Sequence, residues 1–230
     1  MRKFKIILVW AWVTFFVTSY AEIHEVVVQD NNFTPANLGV LAGDTIRWFN
    51  QGNNNHNVAS TDLNFLFRCA AGCDDTGGNG DPAGNGWISE VTFHQVDASI
   101  PYICEPHVGF GMTGSISIQT PTEFATVVVS DANGFEPQSL TIVQNTRVRF
   151  TNAGGAHNMA ADDDSFRCAH GCRDDGIEGV DEFTGFPWQI FMKFTEPGSY
   201  AYHCQNPAHT ETGVIHVLSD AIFENGFDSL

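Results

Sequence analysis

YICEPHVGFGMTG, residues 102–114, places Cys104, His107 and Met112 in a C-x2-H-x4-M spacing at the end of a β-like segment. Upstream, NNNHNV supplies His56 as a fourth candidate ligand. Two imidazoles, a thiolate and a weak axial thioether are the set that holds a copper ion cycling between Cu(I) and Cu(II) in a trigonal site. One short loop carries three of the four groups. The expectation is therefore a type 1 (blue) copper site built from His56, Cys104, His107 and Met112.

Outward from this loop, the chain repeats itself with a period near one hundred residues. Phe33-Thr34-Pro35 answers Phe135-Glu136-Pro137, Arg47-Trp48-Phe49-Asn50 answers Arg149-Phe150-Thr151-Asn152, and His56-Asn57 answers His157-Asn158. Phe67-Arg68-Cys69 with Cys73 matches Phe166-Arg167-Cys168 with Cys172, and Tyr102 and Cys104 match Tyr202 and Cys204. Each copy is long enough to bury its own core, so two domains are expected, 22–120 and 123–219, joined near Thr120-Pro121-Thr122. Within each copy apolar residues alternate over short segments, such as Thr45–Phe49 and Gly114–Ile118, separated by Gly, Asn and Pro clusters. That is the pattern of an all-β protein made of β-sandwiches. The stretch from Ser60 to Gly86 breaks it and reads as an insertion loop. Its Asp74, Asp75 and Asp81 form no complete calcium loop and read as a solvated acidic surface.

The six cysteines divide into two CxxxC pairs and two singletons, Cys104 and Cys204. Residues four apart on a helical turn come within bridging distance, so Cys69–Cys73 and Cys168–Cys172 are expected as disulfides in an oxidising compartment. A second metal site at a pair would need further ligands, and only His170 is near.

Arg2, Lys3 and Lys5 precede an apolar run from Ile6 to Val17 and then Ser19-Tyr20-Ala21, the pattern of a secretory signal over 1–21. The run is too short to span a bilayer. The mature chain is expected to be exported, periplasmic or extracellular, without a membrane span. Losing three basic residues and no acidic one moves the formal charge from −17 to −20. Nucleic acid is excluded as a partner on that charge, and a cationic one is favoured.

These motifs together resemble the cupredoxins, in particular the plastocyanin-like branch, twice over: F-x-P, GDTIRWFN, HNV and CEPHVGFGMTG in the first copy. The resemblance implies two tandem Greek-key β-sandwich (cupredoxin-like) domains. It also gives Asn57, the residue after the first histidine, a role in hydrogen-bonding the thiolate. The second copy departs from the pattern. Its loop reads CQNPAHTETG, so His157, Cys204 and His209 are present, and Glu211 stands where Met112 does when Gly213 is aligned with Gly114. One copper is expected, and a second if the altered set His157, Cys204, His209 and Glu211 takes one. A carboxylate there would favour Cu(II).

The function expected from the resemblance is electron transfer, with a redox protein such as a basic c-type cytochrome as partner and His107, beside Pro106, Val108 and Phe110, as the exit. An enzyme resembling two-domain copper oxidases or nitrite reductases is the rival that His203, next to Cys204, suggests. Strand alternation turns His203 away from the site that Cys204 faces. A copper-holding module without redox traffic is the other rival. The ending DAIFENGFDSL, 220–230, reads as a C-terminal tail of unassigned purpose.

Overall fold

The computed structural model describes residues 22–173, 181–185 and 187–219. The expected export signal and C-terminal tail lie outside them. Nearly everything described is strand and connection, and the chain folds as two β-sandwiches in series. Among the described residues no helix is long and apolar enough to cross a membrane.

In the first sandwich, β1 (Ile23–Gln29), β2 (Asn32–Thr34), β4 (Asp44–Asn50) and β8 (Ile88–Phe93) form one sheet in the order β2-β1-β4-β8. The facing sheet runs β3-β10-β9-β5-β6-β7, from β3 (Asn37–Leu41), β10 (Thr113–Gln119), β9 (Asp97–Ile103), β5 (Val58–Ser60), β6 (Arg68–Ala70) and β7 (Gly72–Cys73). Both sheets are mixed: β1 pairs parallel with β4 and β3 with β10, the rest antiparallel. In β4 the alternation is complete, with Asp44, Ile46, Trp48 and Asn50 buried in turn. Trp48 packs between Phe67 and Tyr102, at ring-centroid distances of 5.5 and 5.9 Å.

The second sandwich repeats this plan. One sheet is β12-β11-β14-β17, from β11 (Ala125–Ser130), β12 (Gly134–Glu136), β14 (Thr146–Gly154) and β17 (Gln189–Phe194). The other is β13-β19-β18-β15-β16, from β13 (Ser139–Val143), β15 (Met159–Ala161), β16 (Arg167–Cys168), β18 (Gly198–His203) and β19 (Thr212–Leu218). Phe150 replaces Trp48 and again meets the strand tyrosine, here Tyr202, at 5.8 Å.

Two readings of the insertion are corrected. The segment after Ser60 is not only loop, because β6 and β7 extend the sheet at its edge. The disulfides form as paired, but Cys69 and Cys73 face each other across an antiparallel hairpin, Cα atoms 4.1 Å apart, instead of sharing a helical turn. Gly72 at φ +116° makes that reversal, a conformation closed to most side chains. Cys168 and Cys172 repeat the bridge at 4.0 Å. The insertion's Asp74 and Asp81 lie at the surface, where Arg68 bonds both of them and Glu105.

The sandwiches are joined by buried chemistry. Arg147 of β14 donates to Asp44 of β4 and to the Ala42 carbonyl, and both side chains of the ion pair are almost fully buried. The Phe191 amide donates to the His94 carbonyl at 2.8 Å, and the His94 Nδ1 meets the Phe191 carbonyl at 2.9 Å. Phe191 itself belongs to the core of the first sandwich.

Candidate metal centres

In the first sandwich the chain enters the site through His56, which bridges to Ala83 by reciprocal amide–carbonyl bonds of 2.9 and 3.0 Å. Cys104 follows the last residue of β9 and precedes a 3-10 helix, Glu105–Phe110, with Pro106 in its first turn. Proline suits that place because its fixed φ is helical and its missing N–H has no partner to lose. The loop closes on itself: Cys104 N donates to the Met112 carbonyl at 3.1 Å and Met112 N to the His107 carbonyl at 3.2 Å. Three of the expected residues are thereby held at one end of the sandwich.

Cys104 Sγ lies 3.6 Å from His56 Nδ1 and 3.4 Å from His107 Nδ1. A metal with bonds of about 2.3 Å to sulfur and about 2.0 Å to nitrogen, at angles of roughly 110–120°, separates the two donors by about 3.5–3.7 Å. The donors fit such an ion. His56, Cys104 and Met112 are buried, and His107 is half-buried.

Burial pushes the Cys104 thiol up, while the backbone amides of Asn57 and His107 work against it. The resemblance assigned Asn57 to the thiolate, and it is the Asn57 backbone that takes that part. Its side chain instead holds Glu105, accepting from the Glu105 amide at 2.9 Å and donating to its carboxylate at 2.6 Å. A buried thiol gives up its proton when a cation takes its place. Burial and the neighbouring His56 lower the His107 pKa, which favours the neutral imidazole that a metal requires.

Sequence reading missed Asp30. Its Oδ1 meets His56 Nε2 at 3.0 Å and accepts the amides of Asn53 and Asn54. The hydrogen bonds from His56 and Asn54 hold this carboxyl well below the usual carboxylate range. With Nε2 engaged, Nδ1 is the nitrogen presented to Cys104. Asp131 faces His157 Nε2 at the same 3.0 Å. The signal was present: both aspartates follow the matching runs VVVQ and VVVS.

The second cluster uses the residues expected of it. His157, Cys204, His209 and Glu211 bring their donor atoms within 4.8 Å of one another. Cys204 Sγ lies 3.7 Å from His209 Nδ1, and His209 Nδ1 lies 3.1 Å from His157 Nδ1. Cys204 N donates to the Glu211 carbonyl at 3.0 Å, the bond that Cys104 makes to Met112, so Glu211 holds Met112's place in the backbone. Gln205 replaces Glu105 and keeps the clamp, bonding Asn158 in both directions at 2.9 and 3.1 Å. Burial raises the Cys204 thiol, and the charges of Glu211 and Asp131 add to it. His203 lies outside the cluster, half exposed, its Nδ1 2.7 Å from Asp162. Among the described residues, His170 joins no such group.

The sequence matches the family described as copper binding proteins, plastocyanin/azurin family, twice, over residues 23–119 and 122–218. No curated protein matches it. Among solved structures, a purple cupredoxin from Nitrosopumilus maritimus is similar at 19% identity, covering 42% of this chain and 99% of that one, with a TM-score of 0.33. An amicyanin from Paracoccus versutus gives 21% identity, coverage of 44% and 85%, and a TM-score of 0.32. A multicopper oxidase gives 12%, 85% and 88%, with a TM-score of 0.31.

Proposed function

Because this chain belongs to the plastocyanin/azurin family of copper-binding proteins, we propose that it is an exported electron carrier whose two sandwiches hold copper in different ways. Bound copper supplies a one-electron Cu(I)/Cu(II) couple. His56, Cys104, His107 and Met112 would hold the ion of the first centre, and His157, Cys204, His209 and Glu211 that of the second. The sandwich holds the first set rigid from behind, so a change of oxidation state moves few atoms.

The observation that carries the reading is the surface beside His107. Phe110, 76% exposed, and Val108, 44% exposed, border the one half-buried imidazole of the first cluster, with the Phe110 ring 6.3 Å from that of His107. Exposed apolar side chains around an otherwise buried donor set make a dry contact where an electron can leave. Between His209 and Glu211 the second loop carries only Thr210, with no large apolar side chain. A negative exterior steers a cationic partner and speeds encounter more than it tightens binding. A basic c-type cytochrome has that chemistry.

The same reading takes 22–120 and 123–219 as the domains, an assignment supported by the doubled family match. It takes 1–21 as an export signal, supported by two disulfides that need an oxidising compartment.

Stopped-flow mixing of the copper-loaded protein with reduced basic cytochrome c tests the function. The visible band should bleach rapidly at low salt, slowly at high salt, and at least about tenfold more slowly in Phe110→Lys. A rate indifferent to both changes would defeat the carrier reading. Steady turnover of nitrite or a phenol would favour the enzyme.

A further inference from the structure

The two centres differ in what lies over the axial residue. In the second, a cleft of about 230 Å³ opens against Glu211, walled by Asn133, Gly134, Phe135, Gln138 and Thr210. Gly134 makes room for it. A Cβ there would stand 3.0 Å from Glu211 Cγ, and the backbone has φ +64°. The strand registers put Asn32 at the same place in the first sandwich, since Gln29 pairs with Asn32 as Ser130 pairs with Gly134. There the position carries a side chain, Asn32, which donates to Thr34 Oγ1 at 2.8 Å, and Met112 is 1% exposed.

No protein hydrogen bond ties Glu211 Oε2, which is buried 3.7 Å from His209 Nδ1, beyond hydrogen-bond reach, so with copper bound the metal alone would hold it. A buried carboxylate oxygen without a partner is costly unless a cation satisfies it or the side chain turns to donors elsewhere. The cleft offers those donors in the amides of Asn133 and Gln138 and the hydroxyl of Thr210. A methionine in the same place has no such alternative, because a thioether gains nothing from a polar cleft.

We propose that Glu211 is a gate: it swings into the cleft and yields its coordination position to a small external anion, so that the second centre, unlike the first, is open to exogenous ligands. The exchange is a substitution of one anionic oxygen or nitrogen donor for another, with no change of oxidation state. This rests on the second centre binding copper.

Azide is the probe, with Cys104→Ser isolating the second centre and Cys204→Ser the first in the full-length chain. Visible and EPR spectra of the Cu(II) forms are followed during titration. The spectrum of Cys104→Ser should shift saturably and that of Cys204→Ser should not. Adding Gly134→Asn to Cys104→Ser should weaken azide binding at least tenfold with copper retained. Asparagine is tolerated at this φ, as Asn31 and Asn145 at +61° and +70° show in this chain. Should that variant fail to fold, Glu211→Met should abolish the shift. Loss of all copper from Cys104→Ser would sink the reading of the second centre. One bound copper with an azide-insensitive spectrum, or equal shifts at both centres, would overturn the gate alone.

Discussion

Asn57 and Glu105, the residues that follow His56 and Cys104, are bonded to each other twice, through the Glu105 amide at 2.9 Å and its carboxylate at 2.6 Å. Two candidate ligands that are 48 positions apart in sequence are thereby fixed in register by their neighbours. Arg68, next to the Cys69–Cys73 bridge, grips the same carboxylate, so the stapled hairpin braces the clamp from outside.

Asn57→Ala removes the clamp and leaves the Glu105 amide without its acceptor. The expected cost is about 1–3 kcal/mol of stability, read by denaturant unfolding of the first sandwich. The Cys104 visible band should broaden, while Asn158→Ala should leave it unchanged. Equal effects of the two substitutions would show that the clamp does not act locally.

Asp30→Ala leaves His56 Nε2 without its carboxylate and frees the ring to choose the other tautomer. Copper affinity of the first centre should fall by about 10–100-fold, measured by competition with a chelator in a Cys204→Ser background. Nitrogen NMR of the metal-free protein should show a changed tautomer for His56. An unchanged affinity would mean that packing alone orients the imidazole.

Much of this site was legible because its information is local. Cys104, His107 and Met112 sit on one loop, and ligand chemistry restricts which residue types can stand there. The Glu211 substitution was legible for the same reason. Asp30 was not, because its contact with His56 crosses between strand ends 26 positions apart and aspartate in a turn is common for its own sake. The hairpin form of the CxxxC bridges was hidden because four-residue spacing is satisfied by a helical turn and by a tight reversal alike. The parallel pairing of β1 with β4 left no trace either, since side-chain alternation is the same for both strand directions.

Nor did the sequence disclose the Asp44–Arg147 pair, 103 positions apart and buried between the sandwiches. Arg147→Met should cost about 1–3 kcal/mol, because Asp44 loses its buried cationic partner and keeps only His24 and the amides of Glu22 and Leu41. The apparent melting midpoint should drop by roughly 5 °C. Burial pushes the Asp44 carboxyl up, but His24, Arg147 and the amides of Leu41 and Glu22 outweigh it and hold it below the ordinary value of 3.8. A carboxyl with a lowered pKa contributes stability that is complete above its unfolded pKa and is lost as pH falls through its folded one. Wild type should therefore lose stability below about pH 4, and Arg147→Met should lose less over the same range. Parallel acid titration curves would contradict this account of the interface.

Copper content with visible and EPR spectra of wild type, Cys104→Ser and Cys204→Ser tests the central claim most directly. Two unlike centres predict two coppers in wild type and one in each variant. The intense thiolate-to-copper band of the methionine-type site should vanish in Cys104→Ser, and a weaker or shifted signal of lower potential should vanish in Cys204→Ser. An unchanged intense band in Cys104→Ser, or two spectroscopically identical centres, would contradict it.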